Sequence, residues 1–196
     1  MSYTEFEIAF WHPFGPHVGE TMEQIIERKR AEIQANGWTL WSFQFRQMLC
    51  AWQDELSAAE RNEVFAFCSK GSHAVDPAGE PTECRSYRFV GEEDSEWRPM
   101  PNGVRVPHPF RPGKKRASAF VVKRVICPGE SFRRPAVEWF SKKGAWCQSR
   151  VPSRGVYLIR PGGTMPMRNV SAVLELKPPY LTVLSAEMAA GGRISN

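Results

Sequence analysis

Hydrophobic and polar positions alternate along residues 5–11, which read EFEIAFW. Phe6, Ile8 and Phe10 fall on one face of this stretch, and its two glutamates and its alanine fall on the other. Side chains of a strand point alternately to opposite faces of the sheet. The pattern therefore predicts a strand that is buried on one face and exposed on the other.

The spacing changes to a helical period between residues 21 and 35. Thr21 and Gln24 fit a capping box, in which a hydroxyl and an amide bind free backbone N–H groups at the helix start. The Asn36-Gly37 pair supplies a stop, because glycine readily adopts the left-handed conformation that ends many helices. The apolar stripe of the predicted helix is formed by Met22, Ile25, Ile26, Lys29 and Ile33.

Two further elements are predicted before residue 71. The sequence WTLWSFQFRQM, residues 38–48, is a strand pattern in which Trp38 and Trp41 point to opposite faces. A second helix is predicted over residues 57–70, with a capping pair at its start. The capping pair and the predicted inward side chains of this helix are Ser57 with Glu60, and Val64, Phe67 and Cys68.

The second half of the chain has the pattern of loops followed by strands. Residues 71–117 are rich in glycine, proline and acidic side chains, which predicts a loop-rich excursion. Strand patterns dominate afterwards, from a central strand at 118–128 to a frayed tail at 187–196. Between them, residues 136–148 are predicted either as an amphipathic strand or as a short helix pair around Gly144.

These elements predict a single domain over residues 1–196 that belongs to the α+β class. Helices come early and strands dominate late, which fits a strongly bent mixed sheet or a small β-barrel with two main helices. A doubly wound parallel sheet needs regular alternation of strands and helices, so it is not predicted.

Charge is distributed unevenly between the two halves of the chain. Residues 1–100 carry nine Lys and Arg against 17 Asp and Glu, whereas residues 101–196 carry 17 against four. This asymmetry favours a polyanionic partner, nucleic acid (RNA or DNA) above all. An acidic half that folds against a basic half and neutralises it is the alternative interpretation.

Composition narrows the class of protein. Hydrophobic residues make up 42% of the chain, and no apolar run approaches the ~20 residues that span a bilayer. The N-terminus lacks the features of a signal peptide, so a cytoplasmic location without a membrane partner is expected. The five cysteines lie singly and are expected to be free thiols, and neither a metal nor another cofactor is predicted.

Residues 10–21 provide the first site hypothesis. Two histidines lie here, just before the predicted helix, whose free N–H groups and dipole favour an anion. We therefore take His12, His17 and Thr21 as candidate ligands of a phosphate or a carboxylate. The alternative is a stiff strand-to-helix turn in which His12 packs on Trp11.

The tryptophans provide a second hypothesis. Trp11 closes the first predicted strand, and Trp38 and Trp41 flank the start of the next one. Convergence of Trp11 with one of this pair would create aromatic walls that stack a flat base, at about 1–3 kcal/mol per base. Core aromatic side chains in a strand-rich domain would give the same pattern.

A third candidate is the glycine pair in GVYLIRPGGTMPMR. Gly162 and Gly163 would let a ligand approach the backbone closely, and Arg160, Thr164 and Arg168 would offer donors beside them. A glycine turn between strands with solvated arginines is the alternative.

The strand EFEIAFW, the helix that stops at Asn36-Gly37, the strand WTLWSFQ and the later strands SAFVVKRVICP, VYLIRPGG and SAVLELKP follow a familiar order. This order resembles that of the PUA-like superfamily, which includes the EVE, ASCH and YTH domains. The resemblance implies a bent-barrel α+β fold and, for several members, a pocket for nucleic acid or a modified base. It also places TLWSF at a pocket strand, so that Trp41 and Ser42 become implied pocket residues with Trp38 beside them.

The leading functional hypothesis is a nucleic-acid-binding module that reads a modified or flipped base in an aromatic pocket, with no catalytic residue. Its predicted phosphate-binding residues are Lys114, Lys115, Arg116, Lys123, Arg133, Arg134 and Arg160. One alternative is a small hydrolase or transferase for a phosphorylated or carboxylated small molecule, with His12 or His17 as acid–base. Another is a protein-interaction domain that meets partners through the acidic loop 92–96 and the basic half.

Overall fold

The structure, a computed structural model, describes most of the chain. The described ranges are 5–15, 19–44, 47–60, 63–71, 82–91, 96–108, 116–129 and 132–188. Three predicted site residues, His17, Lys114 and Lys115, lie outside these ranges. Large parts of the predicted excursion at 71–117 and of the predicted tail at 187–196 also lie outside them.

The described residues form two helices, one large mixed sheet and a separate strand pair. The helices are α1 (Met22–Asn36) and α2 (Leu49–Ala58). The sheet strands are β1 (Ala9–Phe14), β2 (Thr39–Phe43), β3 (Phe65–Lys70), β5 (Ser86–Phe89), β6 (Arg98–Pro99), β8 (Arg116–Ile126), β9 (Ala136–Phe140), β10 (Trp146–Cys147), β11 (Tyr157–Pro166) and β12 (Ala172–Ser185). The separate pair is β4 (Thr82–Glu83) with β7 (Pro107–His108). Neither α1 nor α2 is long and apolar enough to cross a membrane.

The sheet is open, and most of its strands are antiparallel. Its main path runs β10-β9-β11-β1-β3-β12-β5-β6, and β8 pairs with both β12 and β2. On one side, the 14-residue strand β12 pairs first with β3 and then with β5. On its other side it pairs with β8, with an irregularity between residues 176 and 181. Only β1 and β3 are parallel among the described pairs. The α+β class is confirmed, and the sheet does not close into the small barrel that was one predicted alternative.

Helix α1 confirms the first predicted helix. The capping box is present, because Gln24 N donates to Thr21 Oγ1 and Thr21 N donates to Gln24 Oε1 at 2.8 Å. Gly37 ends the helix in the left-handed conformation, with φ 76°. The buried side chains of the helix are Met22, Ile25, Ile26, Lys29 and Glu32, whereas the predicted Ile33 is half-buried.

The second predicted helix, at residues 57–70, is wrong. The helix lies earlier, at Leu49–Ala58, and residues 65–70 form the buried strand β3. Strand β3 packs on both faces, with Ala66 and Cys68 in one buried cluster and Phe65 and Phe67 in another, so its sequence shows no polar alternation. Such a continuous apolar run cannot be distinguished from a buried helix by periodicity. The true helical stripe is formed by Leu49, Trp52 and Leu56.

The first strand begins later than predicted and is buried on both faces. It runs between β11 and β3 from Ala9 onward, and Ala9, Phe10 and Trp11 are all inaccessible to solvent. Phe6 precedes the strand and packs in a different cluster from Ile8 and Phe10. The prediction of a half-buried strand is therefore wrong, because a buried cluster packs on each face of β1, with Phe10 in one and Ala9 and Trp11 in the other.

Three buried clusters pack against the sheet. The helix-side cluster, which contains residues of α1 and α2, includes Phe10, Trp41, Trp52, Phe120 and Leu174. The far-side cluster, on the opposite face of β1 and β3, includes Trp11, Phe67, Val137, Ile159 and Val173. The Trp38 cluster, on the other face of β2 and β8, includes Leu40, Val104, Val121 and Leu184, with Trp38 half-buried against it.

The segment 136–148 is a strand hairpin, which settles the two predicted alternatives. Strands β9 and β10 pair antiparallel, with Trp146 opposite Phe140 and Cys147 opposite Trp139. A turn joins them, and Gly144 occupies it with φ 73°, a conformation that glycine adopts without strain.

Candidate nucleic-acid interface

The three tryptophans of the predicted aromatic pocket lie in three different clusters. Trp11 is fully buried in the far-side cluster, Trp41 lies in the helix-side cluster, and Trp38 packs on the Trp38 cluster. Their alternation along β2 was predicted correctly for Trp38 and Trp41, but the predicted convergence with Trp11 is wrong. Trp11 and Trp41 point to opposite faces of the sheet, so no shared pocket can form between them.

His12 is part of an aromatic cluster rather than an open site. The residue is 6% exposed, and its ring lies 5.8 Å from the ring of Phe120 and 6.1 Å from that of Phe14. Phe14 in turn contacts Trp41 edge-on at 5.0 Å. The alternative in which His12 packs on Trp11 is also wrong, because successive residues of β1 point to opposite faces.

The predicted anion site at the start of α1 is already occupied by the chain itself. The Thr21 hydroxyl and N–H both serve the capping box, and the Glu20 carboxylate binds Arg28 through two bonds of 2.7 Å. The hydrogen bonds from Arg28 lower the pKa of Glu20, so a carboxylate is held beside the helix start. Ser42, the remaining predicted pocket residue, is half-buried on β2.

The predicted phosphate-binding residues do not form one surface. Arg116 is the first residue of β8 and pairs with Ser185. Because the strand has 11 residues, Arg116 lies about 30 Å from the other end of β8. Lys123 forms a salt bridge with Glu175 at 2.9 Å. Arg133, Arg134 and Arg160 belong instead to the region of β9, β10 and β11.

That region, residues 132–170, is named the basic edge because β10 ends the main path of the sheet there. Its eight cations face a single carboxylate, Glu138. The cations are Arg133, Arg134, Lys142, Lys143, Arg150, Arg154, Arg160 and Arg168, of which all but Arg168 are exposed. Concentrated exposed charge of one sign is the arrangement that binds a phosphate backbone.

Glu138 does not neutralise the basic edge, because it is already engaged. It sits opposite Arg160 in the sheet and accepts hydrogen bonds from the Arg160 guanidinium at 2.8 Å and from the Gln148 amide at 3.1 Å. These bonds lower the pKa of Glu138 and keep it ionised. The carboxylate therefore fixes one arginine and leaves seven cations without an acidic neighbour inside the basic edge.

An aromatic side chain lies beneath the fixed arginine. The Arg160 guanidinium carbon lies 4.2 Å from the centre of the Trp146 ring, which itself packs on Phe140. Trp146 is half-buried, and the Arg160 side chain is 44% exposed. An indole covered by a guanidinium is a cation–π pair, and here it faces solvent.

The predicted glycine pair shapes this surface through the backbone. Pairing of β11 with β9 is interrupted between Pro161 and Pro166, and Gly163 lies in the interruption. A Cβ added to Gly163 would lie 1.9 Å from the Val137 carbonyl oxygen, so only glycine fits. Thr164 Oγ1 then donates to the Gln148 carbonyl at 3.3 Å. At Gly163 it is the neighbouring strand that approaches the backbone closely, and approach of a ligand to the glycine pair stays a prediction.

A second group of charges, the buried ion network, lies under α1. It comprises Glu20, Arg28, Lys29 and Glu32, with Lys29 Nζ 2.8 Å from Glu32 and 2.9 Å from the Arg105 carbonyl oxygen. Thr39 also donates to Glu32. Burial lowers the pKa of Lys29 to about 8. Lys29 joins α1 to Thr39 at the start of β2 and to the Arg105 backbone, so this network fixes structure.

No described feature assembles a reactive or metal-binding centre. The described residues include no group of three or more His, Cys, Asp or Glu side chains placed to hold a metal ion. All five cysteines are free, and burial raises the pKa of the Cys84 thiol to about 12 and that of the Cys68 thiol further. Buried thiols of this kind stay protonated and act as small apolar side chains.

Sequence reasoning missed Trp146, Glu138 and Gln148 as site residues. Two features of the sequence could have pointed to them: the alternation of residues 136–140, and the position of Trp146 two residues after Gly144. That alternation places Glu138 and Phe140 on one face and Trp139 on the other.

Compared with protein-family models, with curated proteins and with solved structures, the chain has no match.

Proposed function

We propose that the chain is a nucleic-acid-binding module whose basic edge holds the phosphate backbone. One observation carries the proposal: residues 132–170 hold seven exposed cations, and their single carboxylate, Glu138, is bound to Arg160. Each cation that contacts a phosphate releases a counterion, which makes such binding strong at low salt.

A PUA-like arrangement stays part of this proposal. The α+β class, with both described helices before the later strands, supports it. The pocket of Trp11, Trp38 and Trp41 is not carried forward, because the three indoles lie in separate clusters. Recognition of a modified or flipped base would have to take place elsewhere on the molecule.

The enzymatic alternative has less support. An acid–base role for His12 requires a substrate to reach the ring of a residue that is 6% exposed among Phe14, Phe43 and Phe120. The helix start that was to hold the anion has Glu20 beside it. The interaction-domain alternative relied on the loop at 92–96, of which only residue 96 is described.

The test measures binding of labelled RNA and DNA oligonucleotides over a series of salt concentrations. We expect the logarithm of the affinity to fall linearly with the logarithm of salt, with a slope of about −0.7 to −0.9 per phosphate contacted. The double variant Arg150→Glu/Arg154→Glu should reduce both the affinity and the slope. Arg116→Glu, the same charge reversal at a distant exposed arginine, is the matched control and should change neither.

Absence of binding at low salt, or binding that does not respond to salt, would reject the proposal. Equal losses in the Arg150→Glu/Arg154→Glu and Arg116→Glu variants would show that the basic edge has no special role. Circular dichroism of each variant establishes that the fold is retained before affinities are compared.

A further inference from the structure

We propose that the basic edge selects single-stranded nucleic acid by stacking an unpaired base on the Arg160–Trp146 pair. This inference rests on the proposed function and adds the strand form of the ligand to it. A phosphate track alone does not select single strands, because a duplex carries phosphates on both strands and has the higher charge density. A stacking platform does, because the faces of paired bases are hidden inside a duplex.

The geometry first fixes the arginine. Arg160 donates from Nε and approaches with a terminal nitrogen, both 2.8 Å from Glu138 Oε2, and Gln148 holds the other carboxylate oxygen at 3.1 Å. A long side chain held in this way has already lost most of its rotamer freedom. Little further conformational entropy is then lost when a base stacks on it.

The structure also places the arginine over the Trp146 ring. Its guanidinium carbon is 4.2 Å from the centre of the Trp146 ring, whereas the cation–π pair of Arg88 with Trp97 is looser, at 5.2 Å. The Arg160 side chain remains 44% exposed, so one side meets the indole and the other meets solvent. Guanidinium planes and indoles are the groups on which unpaired bases stack in single-strand-binding proteins.

The neighbouring backbone leaves the platform open. Gly162 and Gly163 follow Arg160 and Pro161 on β11, and neither glycine projects a side chain over the pair. A Cβ at Gly162 would meet only the Glu138 carboxyl carbon within 4 Å. Farther along the same strand, Met165 is an exposed hydrophobic side chain, at 41%. Cations flank the platform in sequence on both sides, so a base on the platform would have phosphates near charge.

The experiment compares single-stranded and duplex oligonucleotides of equal length at one salt concentration. We expect the wild-type chain to bind the single strand more tightly. Trp146→Leu keeps apolar packing on Phe140 but removes the indole, and it should weaken single-strand binding by about 5- to 100-fold. Its effect on duplex binding should be several times smaller. Trp97→Leu, which removes the tryptophan of the other arginine pair, is the matched control and should change neither.

Arg160→Lys provides a second variant, which keeps the charge and loses the planar group. It should retain the salt slope and still lose single-strand affinity, which a purely electrostatic role cannot explain. Quenching of tryptophan fluorescence by a single strand should also decrease in Trp146→Leu relative to Trp97→Leu.

Three outcomes separate the two proposals. Equal wild-type affinity for single strands and duplexes overturns this inference and leaves the proposed function standing. The same holds if Trp146→Leu and Arg160→Lys, shown to be folded, bind single strands as the wild type does. Failure to bind either form at low salt overturns both.

Discussion

Two groups of charged side chains are arranged in opposite ways. The buried ion network under α1 contains two cations and two carboxylates, and its members bind one another at 2.7–3.0 Å. The basic edge contains eight cations and one carboxylate. The first group is internally balanced and shielded, whereas the second directs its excess charge to solvent.

The buried ion network connects helix α1 to the backbone of Arg105. Arg28 and Lys29 both donate to the Arg105 carbonyl oxygen, at 2.8 and 2.9 Å, and Arg105 N donates to Glu32 at 3.1 Å. Helix α1 is thereby fastened to the segment around residue 105, which also contributes to the Trp38 cluster through Val104 and Val106. Buried charges are tolerated here because each one has a partner of opposite sign and further hydrogen bonds.

The contrast shows why the net charge of each half of a sequence is a weak guide to the charge of the protein surface. Arg28, Lys29 and Arg105 count as basic residues, but each of them is paired with a carboxylate of the chain. Pairing, rather than number, decides which charges a partner meets. The basic edge remains the candidate interface because, within the described part of the chain, Arg160 is the one cation of residues 132–170 that forms a salt bridge.

The largest expected effect comes from breaking the balance under α1. Glu32→Gln removes the shared carboxylate of Arg28, Lys29 and Thr39 and leaves a buried ammonium without a counter-charge. The free energy of unfolding should fall by about 3–5 kcal/mol, measured by urea denaturation. Glu138→Gln, the same change in the basic edge, should cost much less, because its partner Arg160 is 44% exposed and can be solvated when the carboxylate is removed. Equal losses would remove the distinction between the two groups.

The second effect is a pH dependence that arises from Lys29. Burial lowers its pKa to about 8 in the folded chain, whereas an unfolded lysine titrates near 10.5. Between these values Lys29 is protonated in the unfolded chain and largely neutral in the folded one, so its own contribution to stability rises with pH. The raised pKa values of the Cys68 and Cys84 thiols act in the opposite direction, but these thiols are present in both proteins. The stability of the wild type minus that of Lys29→Met should therefore rise by about 3 kcal/mol from pH 8 to above pH 10.5, and a constant difference would contradict the assignment.

The part of the fold that sequence reasoning predicted correctly depends on neighbours in the chain. The capping box of Thr21 and Gln24 and the glycine stop at Gly37 are local, so α1 could be placed to within a residue or two. The opposite faces of Trp38 and Trp41 follow from the geometry of a single strand. Such features need no knowledge of what packs against them.

The parts that were missed depend on contacts between distant segments. Strand β3 was taken for a helix because the helix-side and far-side clusters cover its two faces, which removes the alternation that marks a strand. Trp11 could not be assigned a face until its partners in β11 and β3 were known. Trp146 gained its place only through pairing of β9 with β10 and β11, which brings Arg160 over it.

The smallest of the three effects on stability tests whether backbone packing at Gly163 holds the basic edge in its conformation. Gly163→Ala places a methyl group against the Val137 carbonyl, where a Cβ would lie 1.9 Å from the oxygen. The strand pairing must shift, and unfolding should become easier by about 1–3 kcal/mol. Gly129→Ala is the matched control, because nothing lies within 4 Å of its added Cβ. Its stability should stay within about 0.5 kcal/mol of the wild type.

The same pair of variants extends the comparison from stability to binding. Because Gly163 lies next to Thr164, whose hydroxyl binds Gln148, a shifted strand would move Gln148 and release Glu138 from one side. Gly163→Ala should therefore lose single-strand affinity while the remaining cations preserve the salt dependence. If its stability and binding both equal those of Gly129→Ala, backbone packing is not what holds the basic edge in place, and the contrast with the buried ion network would then rest on charge alone.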